Sequence, residues 1–269
     1  MHMAKVTREI LEKLYRRFNR PEFIHPDPLE VVLEYPDIRD REIAGLIAAG
    51  LAYGRVAQII KSVRRALTPL GNSPRDFLDS ASEGELRNLY PDFVHRFTTG
   101  EQLGLALSGI KRCLEEFGSL NRCFAAGLSK KDETVIPALA KFTGRLAADF
   151  PGGCCYLLSS PEKGSACKRM NLYLKWMIRK DAVDPGGWSG VSPAKLVVPV
   201  DRHMHRIGSA IGLTTRKSAD LKTALEMTKA FREFSPDDPV KYDFAITRLG
   251  IRPEQDPAEF IAACAGKPI

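Results

Sequence analysis

The amino-acid sequence predicts an all-α protein. Apolar residues recur at helical spacing through most of the 269-residue chain, and the alternation typical of strands is nearly absent. Glycine and proline separate these periodic stretches, and short polar residues precede several of them. A hydrophobic content of 44% with 27% charged residues is that of an ordinary globular protein.

Start or stop signals mark several of the expected helices. We expect Asp40 to cap a helix at 41–52, Ser165 to cap the helix that carries Lys168, and Asp238-Pro239 to begin a helix that ends at Gly250. The other expected helices cover 7–18, Val56 to Leu67, 73–80, 83–97, 101–117, 132–150, the stretch from Asp201 to Gly212, and Ser218 to Phe234. Glycine and proline predict a loop at 181–195.

The expected organisation is two helical subdomains that flank a basic cleft. Residues 1–3 are interpreted as a cloning scar, and residues 4–49 as an N-terminal arm that packs with the C-terminal subdomain. Residues 50–180 would form one subdomain, with a hairpin and Lys168, and residues 181–269 a loop and the other subdomain, with Asp201.

The composition favours some classes of partner and argues against a membrane span and an iron–sulfur cluster. A net charge of +7 and a pI near 9.1 suit a polyanionic partner such as nucleic acid. No apolar stretch reaches the roughly 18 residues of a membrane span, and no signal peptide is visible. The six cysteines form no C-x2-C pair, which argues against an iron–sulfur cluster and favours reduced thiols. We therefore expect a cytoplasmic monomer without a membrane contact, a metal or a cofactor.

Asp201 follows an apolar run and precedes the helical spacing of Met204, Ile207 and Ile211. It is therefore expected to be a helix N-cap, where backbone N–H groups and the helix dipole stabilise a negative charge. The simplest interpretation is a cap without further function. A metal site formed with His203 and His205 is a rival, but these two residues would point about 200° apart on a helix.

Lys168 is expected in the first turn of its helix, where the dipole disfavours a positive charge. A lysine with a destabilised ammonium form can act as an amine nucleophile at neutral pH. The alternative is an ordinary solvated lysine on the surface.

Over residues 160–250 the sequence resembles the helix-hairpin-helix DNA glycosylase superfamily, on two motifs: Lys168…Pro199-Val200-Asp201-x-His203-x-x-Arg206 and Tyr242-Asp243-Phe244-Ala245. The nearest branch is that of the archaeal 8-oxoguanine glycosylases. The chain as a whole also resembles a bacterial family of unassigned function (DUF2400-like).

The resemblance implies catalytic roles for two residues. Lys168 would attack C1′ of the damaged nucleotide and form a Schiff base, and Asp201 would stabilise the sugar cation. Asp243, Lys175, Pro199 and Leu172 would contact an extruded purine. The implied activity is that of a DNA glycosylase with AP lyase activity on an oxidised purine in double-stranded DNA.

The same resemblance implies a DNA-binding surface. Lys163, Gly164, Ser165, His203 and Arg206 would contact phosphates. Tyr53 and Arg55, at a helix junction, are candidates to wedge into DNA, with core packing and an ordinary surface charge as the alternative.

Three features depart from the superfamily. The hairpin at 159–165 has one glycine where two or more are usual, Thr247 replaces an expected aromatic residue, and a base-reading glutamine is missing near Gly50. Two other functions therefore stay open. One is a non-catalytic protein that binds DNA or a nucleotide, and the other is a glycosidase of free nucleosides or RNA.

Overall fold

The fold is described from a computed structural model, over residues 6–153, 155–251 and 256–265. The residues interpreted as a cloning scar, 1–3, lie outside this range. The described chain is mostly helical, as the sequence predicts. Its helices are α1 (Arg8–Phe18), α2 (Leu29–Val32), α3 (Ile38–Gly50), α4 (Val56–Leu67), α5 (Pro74–Ser80), α6 (Glu83–Asn88), α7 (Gly100–Phe117), α8 (Leu120–Ala125), α9 (Ile136–Leu146), α10 (Lys168–Ile178), α11 (Arg202–Ala210), α12 (Leu221–Phe234), α13 (Asp243–Ile251) and α14 (Pro257–Cys264).

The only strands in the described chain are β1 (Val94–His95) and β2 (Thr98–Thr99), which pair antiparallel as a hairpin. The expected helix at 83–97 is therefore wrong beyond Asn88. Arg96 lies at the tip of the hairpin with φ 53°, a left-handed conformation that a helix cannot contain. In the described part of the chain, no helix is long and apolar enough to cross a membrane.

The chain forms two units. Unit 1 takes the described residues of Met1–Phe23, Lys163–Gly186 and Val191–Ile269, and unit 2 takes those of Ile24–Glu162 and Gly187–Gly190. Residues 24–49 thus belong with the helices that follow them, and the helix of Lys168 belongs with the C-terminal helices. These two assignments differ from the boundaries expected from sequence. Contacts between stretches that are distant in sequence define the units.

In unit 2, α7 packs against α6, α8 and α9. The buried Glu42 of α3 connects three distant parts of this unit. Its carboxylate accepts hydrogen bonds from the backbone N–H groups of Leu120 and Asn121 at 2.9 and 3.0 Å and from Trp188 Nε1 at 2.9 Å. Burial raises the pKa of Glu42, and these three donors oppose that rise.

In unit 1, α13 packs against both α1 and α11. Glu12 of α1 accepts hydrogen bonds from Lys241 Nζ at 2.6 Å and from the Tyr242 hydroxyl at 2.7 Å. Burial tends to raise the pKa of Glu12, but these two donors outweigh burial and lower it. The first helix of the chain is thereby joined to residues just before α13.

Three expected helix caps differ in the structure. Asp37, not Asp40, caps α3, because the Asp40 carboxylate accepts hydrogen bonds from Ser73 Oγ and the Arg75 N–H. The helix expected at Asp238-Pro239 begins at Asp243, and the Asp238 carboxylate binds Arg179 instead. Cys167, not Ser165, occupies the N-cap position of α10.

Candidate active site

Lys168 and Asp201 lie together in unit 1, each at the N-terminus of a helix. Lys168 is the first residue of α10, Asp201 is the N-cap of α11, and Lys168 Nζ is 4.0 Å from Asp201 Oδ2. Their side chains are 31% and 30% exposed. A half-exposed ion pair of this length contributes little to stability. Both charged groups are thus accessible from solvent and close enough to act on one atom.

The carboxylate of Asp201 is oriented by its own helix. Oδ1 accepts hydrogen bonds from the backbone N–H groups of His203 and Met204, both at 2.9 Å. This confirms the predicted N-cap and leaves Oδ2 as the oxygen nearest to Lys168 Nζ. The apolar run before it, Leu196 to Val198 with Val200, is buried and anchors the turn.

An unusual backbone conformation precedes Lys168. Cys167 is left-handed, with φ 46° and ψ 39°, and its side chain makes no capping hydrogen bond. Its backbone N–H donates to Ser165 Oγ at 3.1 Å. Ser165 therefore stabilises the turn before α10 instead of the helix itself, and Lys168 begins the helix.

Gly164 and Ser165, which precede α10, pair with the start of α12. Gly164 O accepts from the Leu221 N–H at 3.0 Å, and Ser165 forms an isolated antiparallel bridge with Asp220. Lys163, Gly164 and Ser165 are exposed, and so are His203 and Arg206 on α11. All five residues that were predicted to bind phosphates near Lys168 and Asp201 are therefore exposed to solvent.

Lys175 and Asp243 are brought together in the interior of unit 1. Lys175 Nζ is 2.9 Å from Asp243 Oδ2 and 3.6 Å from Asp184 Oδ1. Both Lys175 and Asp243 are buried. Burial tends to lower the pKa of Lys175, but the carboxylates of Asp184 and Asp243 outweigh burial and raise it. Of the other two expected base contacts, Pro199 is buried and Leu172 half-buried.

One turn below Lys175, Arg179 binds three carboxylates, those of Asp181, Asp184 and Asp238. Asp184 is fully buried, and its pKa is raised to about 6, first by burial and then by Asp181, against the effect of Lys175 and Arg179. This cluster was not predicted from the sequence. One signal in the sequence could have predicted it: two aspartates, three residues apart, follow the basic end of a helix.

Tyr53 and Arg55 lie in unit 2, where the chain passes from α3 to α4. The Tyr53 hydroxyl donates to His95 O at 2.8 Å and lies 2.7 Å from Thr98 Oγ1. Tyr53 is half-buried against the hairpin, and Arg55 is exposed.

The histidines of α11 have different surroundings. A ring nitrogen of His205, Nε2, is 2.8 Å from Arg216 O, whereas His203 is exposed. Among the described residues, no three His, Cys, Asp or Glu side chains are grouped so that they could hold a metal ion.

The chain was compared with known protein families, curated proteins and solved structures. Residues 27–252 match the model of a family described as a protein of unknown function, DUF2400. This range includes Lys168, Asp201, Lys175 and Asp243. No curated protein and no solved structure matched the chain.

Proposed function

We propose that this chain, which belongs to the DUF2400 family of proteins of unknown function, is a DNA glycosylase with AP lyase activity on an oxidised purine such as 8-oxoguanine. The observation that carries the proposal is the accessible pair of Lys168 Nζ and Asp201 Oδ2, 4.0 Å apart. An amine and a carboxylate at this separation can act on the two sides of one sugar carbon.

The reaction would start once the damaged nucleotide is turned out of the duplex, since the glycosidic bond is inaccessible inside it. The Lys168 amine bonds to C1′ as the bond from C1′ to the base breaks, and the electron pair of that bond leaves with the base. The proton that the amine loses balances the proton that the departing base takes up. The bond from C1′ to O4′ then breaks, O4′ takes up a proton, and C1′ becomes the carbon of a protonated Schiff base. Loss of a proton from C2′ forms a double bond between C2′ and C3′ as the bond from C3′ to its phosphate oxygen breaks, and the phosphate leaves with the electron pair.

Asp201 would stabilise the positive charge that develops at the sugar. Its capping hydrogen bonds fix the carboxylate before substrate binds, so no reorganisation is needed in the transition state. The exposed Lys163, Gly164, Ser165, His203 and Arg206 would contact DNA phosphates, in keeping with the net charge of +7.

The base would be recognised by Leu172, Pro199, Lys175 and Asp243. Because Lys175 and Asp243 are buried and paired with each other, this assignment requires their ion pair to become accessible when the base enters. The burial of this pair favours a second candidate, a non-catalytic protein that binds DNA or a nucleotide.

Borohydride trapping tests the proposal directly. We expect the protein to form a covalent adduct with a duplex that contains 8-oxoguanine, and Lys168→Gln to abolish the adduct. Lys180→Gln is the matched control, because Lys180 is an exposed lysine just beyond the other end of α10, and it should trap as well as the unchanged protein.

The absence of an adduct across a panel of damaged bases would contradict the lyase mechanism, and so would an undiminished adduct in Lys168→Gln. Tight, salt-dependent DNA binding without base release would identify the non-catalytic candidate instead. Base release from free nucleosides, with no dependence on a duplex, would identify a nucleoside glycosidase.

A further inference from the structure

Exposed aromatic side chains lie at and beside the β1–β2 hairpin of unit 2. Phe97 is 60% exposed and Tyr156 is 46% exposed, and their ring centroids lie 5.2 Å apart. Tyr53 packs beside both, stacked on Phe97 at 6.4 Å and edge-on to Tyr156 at 5.0 Å. Exposed aromatic side chains that contact one another are uncommon on a protein surface that has no partner.

This hairpin is hydrogen-bonded to α4 and to the connection between α3 and α4. Besides the contacts of the Tyr53 hydroxyl with His95 O and Thr98 Oγ1, the His95 ring bonds to Ser62 Oγ of α4 at 2.9 Å and to Tyr53 O at 3.1 Å. His95 and Thr98 are both buried. The exposed rings therefore stand on a rigid base, and a ligand that stacks on them loses little entropy by ordering the protein.

The pocket beside the hairpin is basic. Its lining contains four cationic side chains, Arg55, Lys61, Arg65 and Arg96, and no carboxylate. Within the described residues, Arg55, Lys61 and Arg96 form no ion pair, whereas Arg64 on the same helix is paired with Glu34 at 2.7 Å. These three cationic side chains next to the aromatic rings are therefore available to bind an anionic partner.

Arg96 occupies an unfavourable position for an arginine. Its φ of 53°, in the two-residue loop of the hairpin, is the conformation in which glycine is usual. Its guanidinium lies 5.5 Å from the centre of the Phe97 ring. Strained residues of this kind concentrate at functional sites, and here the strain places a cation beside an exposed ring.

We propose that this hairpin surface, formed by Tyr53, Arg55, Lys61, Arg65, Arg96, Phe97 and Tyr156, binds an unpaired stretch of DNA. Bases stack on Phe97 and Tyr156, and the phosphates between them meet the arginines and the lysine. The strand must be unpaired because the base faces of a duplex are already stacked. The choice of DNA over RNA rests on the proposed function; the stacking surface and the charge do not.

Fluorescence anisotropy with a labelled oligo(dT) strand and an equally long blunt duplex tests the proposal. We expect the single strand to bind more tightly than the duplex and Phe97→Ala to weaken single-strand binding about tenfold. Leu33→Ala is the matched control, because Leu33 is another exposed hydrophobic residue of unit 2, at 40% exposure, outside the hairpin surface. It should bind like the unchanged protein.

Charge is tested separately by salt titration. Arg55→Gln should reduce the slope of log affinity against log salt by about 0.7 for a single strand. Arg64→Gln should leave the slope unchanged, since Arg64 is exposed at the same helix but already paired with Glu34.

Three results would overturn the proposal: unchanged binding by Phe97→Ala, an equal loss for duplex and single strand, or tighter binding of oligo(U) than of oligo(dT). Lys168→Gln separates this proposal from the glycosylase proposal, because it should abolish trapping and leave oligo(dT) binding intact. A protein that binds oligo(dT) through Phe97 but never traps would refute the glycosylase proposal alone.

Discussion

At Asp201 the two oxygens of one carboxylate have different partners. Oδ1 accepts the two capping hydrogen bonds of α11, and Oδ2 is the oxygen nearest to Lys168 Nζ. Capping requires only a side-chain oxygen that accepts a hydrogen bond. Stabilisation of a sugar cation requires the negative charge of the carboxylate. The two contributions can therefore be separated by substitution.

Asp201→Asn should preserve the stability of the helix and slow base release. Asparagine caps helices as well as aspartate does, so we expect the free energy of unfolding to change by less than about 0.5 kcal/mol. Without the charge, single-turnover base release should fall by about 10² to 10³. Thermal unfolding and base release on the same preparations measure both effects.

A control for the cap itself is available at α14, where Asp256 is the N-cap and accepts a hydrogen bond from the Ala258 N–H at 2.8 Å. Asp256→Ala should lower stability by about 1 kcal/mol and leave base release unchanged. Base release at the normal rate in Asp201→Asn would show that the charge of Asp201 has no part in the reaction.

Local sequence predicted the Asp201 cap correctly and three other caps incorrectly, and two of those three, Asp40 and Asp238, share one reason. The Asp201 cap needs only backbone groups two and three residues away, which local pattern can show. Asp40 and Asp238 instead bind groups that are distant in sequence, Ser73 Oγ and the Arg179 side chain. The pairing of Lys175 with Asp243, 68 positions apart, is likewise beyond any local pattern.

Between elements, glycine sets how closely helices α7 and α9 approach. A Cβ added to Gly109 of α7 would lie 2.1 Å from the backbone oxygen of Leu146 in α9. A backbone atom cannot move aside as a side chain can, so the two helices would have to separate. A Cβ on Gly144, in the exposed face of α9, would meet nothing within 4 Å.

These two glycines give opposite predictions for the same substitution. Gly109→Ala should lower the free energy of unfolding by about 2 kcal/mol or more, because the core of unit 2 becomes overpacked. Gly144→Ala should raise it by about 0.5 to 1 kcal/mol, because alanine favours a helix over the unfolded chain. Urea unfolding of both variants is the measurement. A destabilised Gly144→Ala would contradict the open space at that position.

The hairpin shows which elements sequence periodicity misses. A helical pattern was expected to continue to residue 97, but α6 ends at Asn88 and the chain turns back at Arg96. Two strands of two residues each are too short to produce an alternating pattern. The pairing of the strands and the buried contacts of His95 and Thr98 determine the conformation instead.

At the scale of the whole molecule, buried charge joins distant parts of unit 1. Arg179 binds Asp181 and Asp184 just after its own helix and Asp238 before α13, and the Tyr15 hydroxyl of α1 donates to Asp181 at 2.9 Å. With Lys175 and Asp243, this cluster contains two cations and four carboxylates. The excess of negative charge is consistent with the raised pKa of Asp184, of which burial is the largest cause.

Asp184 should make stability depend on pH. Its pKa is about 6 in the folded chain and about 4 in the unfolded chain. Between these values the folded chain binds more protons at this position, so the free energy of unfolding falls as the pH rises through the window. Asp184→Asn should remove this fall, and the stability difference between the two proteins should shift on the order of 2 kcal/mol between about pH 4 and pH 7.

Asp181→Asn provides a contrast of opposite sign. Burial tends to raise the pKa of Asp181, but Arg179 and the backbone N–H groups of Val183 and Asp184 outweigh burial and lower it. Its stabilising contribution is therefore present above about pH 4 and lost as the pH falls below that value. Urea unfolding of the unchanged protein and both variants across this range would show the two trends. A parallel pH response in all three proteins would contradict the assignment.

The pairing of α1 with residues near the end of the chain has a consequence for biosynthesis. Glu12 meets Tyr242, 230 positions later, so the ribosome needs on the order of ten to fifty seconds to supply this partner. Until then, an isolated helix of 11 residues is marginal in water and exposes Leu11, Leu14 and Phe18. Unit 2 draws nearly all of its chain from the continuous stretch Ile24–Glu162 and lacks only Gly187–Gly190, with Trp188, when that stretch is complete. The nascent chain can therefore complete unit 2 before the partners of α1 in unit 1 have been synthesised.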